Sequence, residues 1–210
     1  MNTARRQLIA KTAACTSLGL LLASLGGCVP LVLGGAVAGG ALVATDRRTP
    51  GAQLEDETIE LRALSRVREG LRGRGHVNLV SYNRQVLITG EVPTEQEKLL
   101  VQQIVARVEN VQGVVNELGL MPNSSLTQRA GDSLITGRVK ASMIDAKDVF
   151  ANAFKVVTER DVTYLMGRVT QREADRATSI TRSISGVQRV VRVLEIITEE
   201  ELQGLSKGKP

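Results

Sequence analysis

Hydrophobic and polar positions along this chain change period several times, and the changes recur. From about Glu57 to Leu71, the residues Ile59, Ala63, Val67 and Leu71, with Leu64 beside them, fall on one broad face of a 100° wheel. Thr58, Arg62, Ser65, Arg66, Arg68 and Glu69 occupy the other face, which predicts a surface helix with its apolar side inward. The run HVNLVSY (76–82), a polar turn and VLITGEV (86–92) then read as a hairpin. Thr94 and Glu97 fit a capping box that opens a second helix: the hydroxyl accepts from a backbone N–H and the glutamate reaches back to the cap. The segment closes with VENVQGVVNELGL, where Gly113 is placed to stop the helix before a Val-rich strand.

The same order returns further on. A helix from about Ser133 to Lys147 precedes AFKVVT, the turn Glu159-Arg160-Asp161 and VTYLMGRV. Thr170 and Glu173 repeat the capping pair, and ISGVQRVVRVLEII repeats the closing strand, with Gly186 as its stop. The caps lie 76 residues apart and the two glycines 73, so the last helix of the second copy is expected to be about one turn shorter. The pattern gives two tandem α-β-β-α-β sandwich domains of the α+β class, at 54–121 and 132–198, joined by a linker at 122–131. Residues 199–210, opening on Glu199-Glu200-Glu201, read as a disordered, solvated tail.

The N-terminus follows a different logic. Arg5, Arg6 and Lys11 precede a mostly small and apolar stretch, Thr12 to Leu25, which ends in Leu25-Gly26-Gly27-Cys28. Residues 1–27 read as an export signal, and their end resembles the lipobox of bacterial lipoproteins. That resemblance implies covalent lipid on Cys28 and an acylated amine after cleavage. Cys15 would leave with the leader, so the mature chain would hold no disulfide. Val29, rather than Asp, follows Cys28; by the usual lipoprotein sorting rule this implies the outer membrane. Residues 28–53 form a Gly/Ala-rich segment and a polar linker. The apolar run 29–44 has 16 residues, short of the roughly 20 a spanning helix needs. It reads as membrane-proximal, with a short spanning helix as the alternative.

Composition narrows the function classes. Aromatic residues make up 2% of the chain and Trp is absent, which argues against base-stacking platforms and, with export, against nucleic acid as a partner. The chain has one histidine, His76, in the loop Gly73-Arg74-Gly75-His76, and no carboxylate or cysteine stands near it in sequence. It reads as a surface imidazole; no metal ligand set, catalytic residue or cofactor is expected, and an enzyme is disfavoured. Of the net charge of +5, three units belong to residues 1–27. Residues 54–120 carry eight bases and ten acids, net −2, whereas residues 129–198 carry twelve and eight, net +4. The second half is therefore the better candidate for an anionic partner. Arg66, Arg68, Arg72 and Arg74 cluster near the end of the first helix, where a solvated face near the negative helix end competes with phosphate contact.

The order helix, strand, strand, capped helix, strand resembles the BON domain, whose signature lies at Gly90-Glu91-Val92 with Gly113-Val114 and at Gly167-Arg168-Val169 with Gly186-Val187. Two such units behind a lipobox look like the tandem BON-domain envelope lipoproteins. The resemblance implies binding of anionic phospholipid through the second domain, support of envelope integrity, a periplasmic-facing outer-membrane location and no enzymatic activity.

The helix of the second copy carries a face that could serve such a role. Ile135, Val139, Met143 and Ala146 make its core stripe. A second, outer strip holds Leu134, Gly137, Ala141 and Ile144, flanked by Arg138 on one side and by Lys140 and Lys147 on the other. An apolar strip between cations suits the headgroup boundary of a membrane. Contact with the other domain or with a protein, such as an outer-membrane assembly or division factor, and plain exposure are the other readings. Asp145 lies near Leu134 and opposes deep insertion. Phe150 and Phe154, flanking the second hairpin, are expected in the core, with Phe150 an alternative member of the strip. A hydrolase or haemolysin is the remaining alternative class.

Overall fold

The computed structural model describes residues 46–207; the leader, Cys28 and the segment 29–44 lie outside the described residues. Among those described, no helix is long and apolar enough to cross a membrane. The first domain runs α1 (Pro50–Leu71), β1 (His76–Tyr82), β2 (Gln85–Val92), α2 (Glu95–Ala106), β3 (Gly113–Asn116) and β4 (Gly119–Leu120). The second runs α3 (Leu126–Asp145), a 3₁₀ turn at Ala151–Ala153, β5 (Phe154–Glu159), β6 (Val162–Thr170), α4 (Gln171–Ser183) and β7 (Arg189–Ile197). A last helix, α5 (Glu199–Lys207), occupies the segment expected to be a disordered tail. In each sheet the central strand pairs antiparallel with its hairpin partner and parallel with the closing strand.

Both opening helices begin earlier than their apolar pattern suggests, and the cause is a cap. Thr49 accepts from the Ala52 amide at 3.2 Å, with Pro50 in the first turn. Ser125 and Gln128 form a reciprocal capping box, so α3 starts inside the expected linker. Thr170 and Glu173 form the same box, whereas Thr94 accepts from the Glu97 amide but lacks the reciprocal bond.

The repeat keeps one spacing throughout. Thr49 and Ser125, Thr94 and Thr170, and the buried acids Asp56 and Asp132 each lie 76 residues apart. Each acid on an opening helix holds a two-residue hairpin turn whose residues are left-handed, Asn83-Arg84 and Arg160-Asp161. Asp56 accepts from the amides of Asn83 and Arg84, both at 2.8 Å, and Asp132 from those of Arg160 and Asp161, at 2.9 and 3.0 Å. This register corrects the pairing of Gly113 with Gly186. Gly186 is left-handed at φ +99°, and its counterpart is Asn110 at φ +69°; Gly113 is simply the first residue of β3. Accordingly α4, at 13 residues, is not shorter than α2, at 12. The signature glycines have a steric reason: a Cβ at Gly90 would stand 2.0 Å from the His76 carbonyl oxygen, and one at Gly167 would stand 2.4 Å from that of Ala153.

The strands alternate between two cores. Leu79, Val86 and Ile88 pack under α1 and α2, while Leu165 and Val156 pack under α3 and α4. Their neighbours Val80, Tyr82 and Leu87 meet Tyr164, Met166 and Val193 in a third core between the two sheets. Burial on both faces explains why these strands are nearly continuous apolar runs. Polar contacts rim this seam: Lys155 to Glu60 at 2.7 Å, Asn83 to Glu195 at 2.8 Å and Arg189 to Glu117 at 3.1 Å. The polar linker is part of the fold as well. Arg47 pairs with Glu173 at 2.6 Å, and Arg48 pairs with Asp56 at 2.8 Å while its guanidinium lies 4.3 Å from the Tyr82 ring centroid.

Candidate membrane-contact face

The inward side of α3 is built from Ile135, Val139 and Met143, all buried, with Ala146 half-buried beside them. Asp132 on the same side is fixed by the hairpin turn. These contacts set the rotation of the helix and leave its opposite side in solvent. Leu134 is 63% exposed and Ile144 68%; Gly137 and Ala141 between them are exposed too. Arg138, Lys140 and Lys147 are exposed on the flanks, with Asp145 among them. The helix ends at Asp145, two residues before the Lys147 expected to close it, so six of the seven singled-out residues lie on α3 and Lys147 follows the extended cap Ala146; all seven are exposed.

The earlier start of α3 adds residues that the sequence pattern did not bring in. Leu126, 80% exposed, falls in the same sector of the wheel as Ile144, and Ala130 is exposed close by. The strip then runs from Leu126 to Ile144, about 27 Å at 1.5 Å per residue. The Ser125-x-x-Gln128 spacing was the available signal for this extension. A Cβ at Gly137 would meet nothing within 4 Å, so the strip has a shallow dip there. Phe154 is buried, as expected. Phe150 is 42% exposed and lies under the Arg47 guanidinium, 5.6 Å from its centroid, so it is not a core residue.

Two cations of the basic cluster at the end of α1 are engaged locally. Arg66 donates to the Arg107 carbonyl at 3.2 Å, Arg74 pairs with Glu97 at 3.0 Å, and Arg72 is the left-handed cap residue of α1. His76 departs from its reading as a surface imidazole without partners. It is half-buried beside Glu91 and Glu159, which sequence distance had hidden.

The BON domain family matches residues 55–121 and 131–198. Over 173 residues the chain is 40% identical to the outer membrane lipoprotein DolP of Haemophilus influenzae, spanning 81% of this chain and 89% of that protein. It is 29% identical over 154 residues to a 21 kDa hemolysin of Actinobacillus pleuropneumoniae, spanning 72% and 79%. Among solved structures, CdsD, a structural protein of the type III secretion system of Chlamydia trachomatis, aligns with 70% of this chain and 98% of its own at 13% identity and a TM-score of 0.29.

Proposed function

This chain belongs to the BON-domain family, and from that premise we propose that it is an outer-membrane lipoprotein whose second domain reads anionic phospholipid at the periplasmic face and so supports envelope integrity. The observation that carries this reading is the solvent-facing strip of α3, aliphatic along its middle and cationic along its edges. Lipid on Cys28 supplies the permanent attachment, and α3 supplies a second, reversible one. Leu126, Leu134 and Ile144 enter the headgroup–acyl boundary while Arg138, Lys140 and Lys147 meet phosphates. Each cation near an anionic leaflet contributes about 1 kcal/mol, partly offset by Asp145. That is weak in isolation, and the lipid tether multiplies it by raising the local concentration. The name of the Haemophilus relative agrees with this location, and neither named relative is called an enzyme.

Vesicle flotation tests the proposal. A soluble form spanning residues 46–210 should float with phosphatidylglycerol or cardiolipin vesicles at low salt and be released as salt rises, while phosphatidylcholine vesicles leave it behind. Leu134→Glu or Ile144→Glu should abolish flotation without unfolding the domain. A folded variant that still floats would remove the strip from the mechanism. Failure of the parent to float would favour the same strip as a protein-docking face for an assembly or division partner.

A further inference from the structure

The β1–β2 hairpin and β5, distant from it in sequence, bring His76, Glu91 and Glu159 together where the two domains meet. His76 and Glu91 face each other across the β1–β2 ladder, and Glu159 ends β5 of the second domain. His76 Nδ1 lies 3.5 Å from Glu91 Oε2 and 3.9 Å from Glu159 Oε1, and one donor atom from each residue lies within 4.8 Å of the other two. We propose that these three side chains form a zinc-class divalent cation site that ties the two domains together.

The donor set and its spacing fit. Zinc takes imidazole nitrogen and carboxylate oxygen at about 2.0–2.2 Å, which puts neighbouring ligands of a tetrahedral site about 3.4 Å apart. His76 and Glu91 already stand at that separation. Glu159 needs only a small rotation of a flexible side chain, and water completes the shell.

The surroundings point the same way. His76 Nδ1 is buried and has no hydrogen-bond partner among the described residues. The Glu159 side chain is nine-tenths buried, with the His76 ring 3.9 Å away. The charged neighbours have their own partners, one of which is Glu91 itself. Arg160 Nε donates to Glu91 Oε1 and its Nη2 to the Pro122 carbonyl at 2.7 Å. Arg129 donates to Ser124 Oγ and O, at 3.1 and 2.9 Å. Asp132 is held by the turn amides of Arg160 and Asp161. The Ser124 amide and hydroxyl donate to Glu91 Oε2 at 3.1 and 3.3 Å and fix that carboxylate in place. An entry path exists, since His76 and Arg129 line an open groove of about 1050 Å³ beside α1.

The test uses the full chain in detergent micelles, stripped with chelator, at pH 7.5. Calorimetric titration with Zn²⁺ should show one equivalent bound, the thermal unfolding midpoint should rise with zinc concentration, and Co²⁺ should give visible d–d absorption of a nitrogen–oxygen site. His76→Asn and Glu159→Gln should each weaken binding at least tenfold and abolish the cobalt band, while Glu195→Gln, across the seam, should retain both. Circular dichroism at 20 °C confirms that each variant is folded; a misfolded Glu159→Gln is replaced by Glu159→Ala. Absence of one-equivalent binding, or binding unchanged in folded His76→Asn and Glu159 variants, overturns the site. A midpoint that moves with pH but not with zinc also overturns it and assigns the cluster to a shared proton.

Discussion

The two opening helices do the same internal work and face solvent differently. Both α1 and α3 carry a small-to-medium apolar stripe, and both place an aspartate over the hairpin turn. Their outer sides diverge. On α1 the exposed Leu54 and Leu61 stand among Thr58, Ser65 and Glu69, with Arg62 paired to Glu109. On α3 the outer leucines and isoleucine are separated by Ala130, Gly137 and Ala141, and the charges at the edges are mostly basic. Duplication preserved what holds each domain together, and the difference lies where nothing internal constrains the side chain. Function is therefore to be sought on the outer side of α3 rather than in the shared interior.

The largest effect should come from the shared interior, and it also separates the copies. Asp56 accepts from Ser81 Oγ at 2.6 Å and from Arg48, beyond the two turn amides it has in common with Asp132. Asp56→Ala leaves four donors, one of them a cation, without an acceptor, and should cost about 3–5 kcal/mol in urea unfolding. Asp132→Ala frees two amides and should cost about 1–3 kcal/mol. Equal costs would show that Arg48 and Ser81 add nothing to the first copy. Acid sharpens the point. Burial alone would raise the Asp56 carboxyl, but hydrogen bonds from Ser81, Arg84, Arg48 and Asn83 outweigh it and hold the group below its ordinary value of 3.8. A depressed folded value means stability that is complete above the unfolded value and lost as pH falls through the folded one. Asp56→Asn should therefore have a flatter urea midpoint between about pH 5 and pH 2 than the parent chain.

Next in size is the contrast in lipid binding. Leu134→Glu should remove flotation on anionic vesicles, whereas Leu61→Glu on α1, at a residue 72% exposed, should leave it unchanged. Both should stay within about 0.5 kcal/mol of the parent in stability, as exposed sites do. Loss of flotation in both variants would mean that bulk charge, not the α3 strip, governs binding. Leu126→Glu should reduce flotation less than Leu134→Glu, because it sits at the end of the strip, beyond the cations.

Much of this arrangement was legible in the sequence. Period 3.6 and period 2 patterns located the helices of the two domains and their strands except the short β4, since one face of each helix is buried and the sign of that burial is written in Ile59, Ala63 and Val67 or in Ile135, Val139 and Met143. The starts of α1 and α3 were missed because they depend on Thr49 and Ser125, single hydroxyls outside the apolar pattern. The pairing of Gly113 with Gly186 failed because Asn110 does the left-handed work of glycine in the first copy. The interdomain seam and the meeting of His76, Glu91 and Glu159 are products of tertiary placement. Alternation within VTYLMGRV shows that both faces of the strand are apolar, but not that the second face meets another sheet.

The smallest effect separates the glycines of the two helices. Gly137 and Gly70 both sit within helical segments, where glycine costs about 0.5–1 kcal/mol relative to alanine. At Gly137 the added methyl meets open space, so Gly137→Ala should gain most of that amount in urea unfolding. At Gly70 the methyl would stand 2.6 Å from Ile104 Cδ1, so Ile104 must rotate and the gain should shrink toward zero. The methyl at Gly137 also fills the dip between Leu134 and Ala141, so flotation should hold or rise slightly. If Gly137→Ala is stabilised yet loses flotation, the dip itself contacts the headgroup, and the strip binds by shape as well as by apolar area.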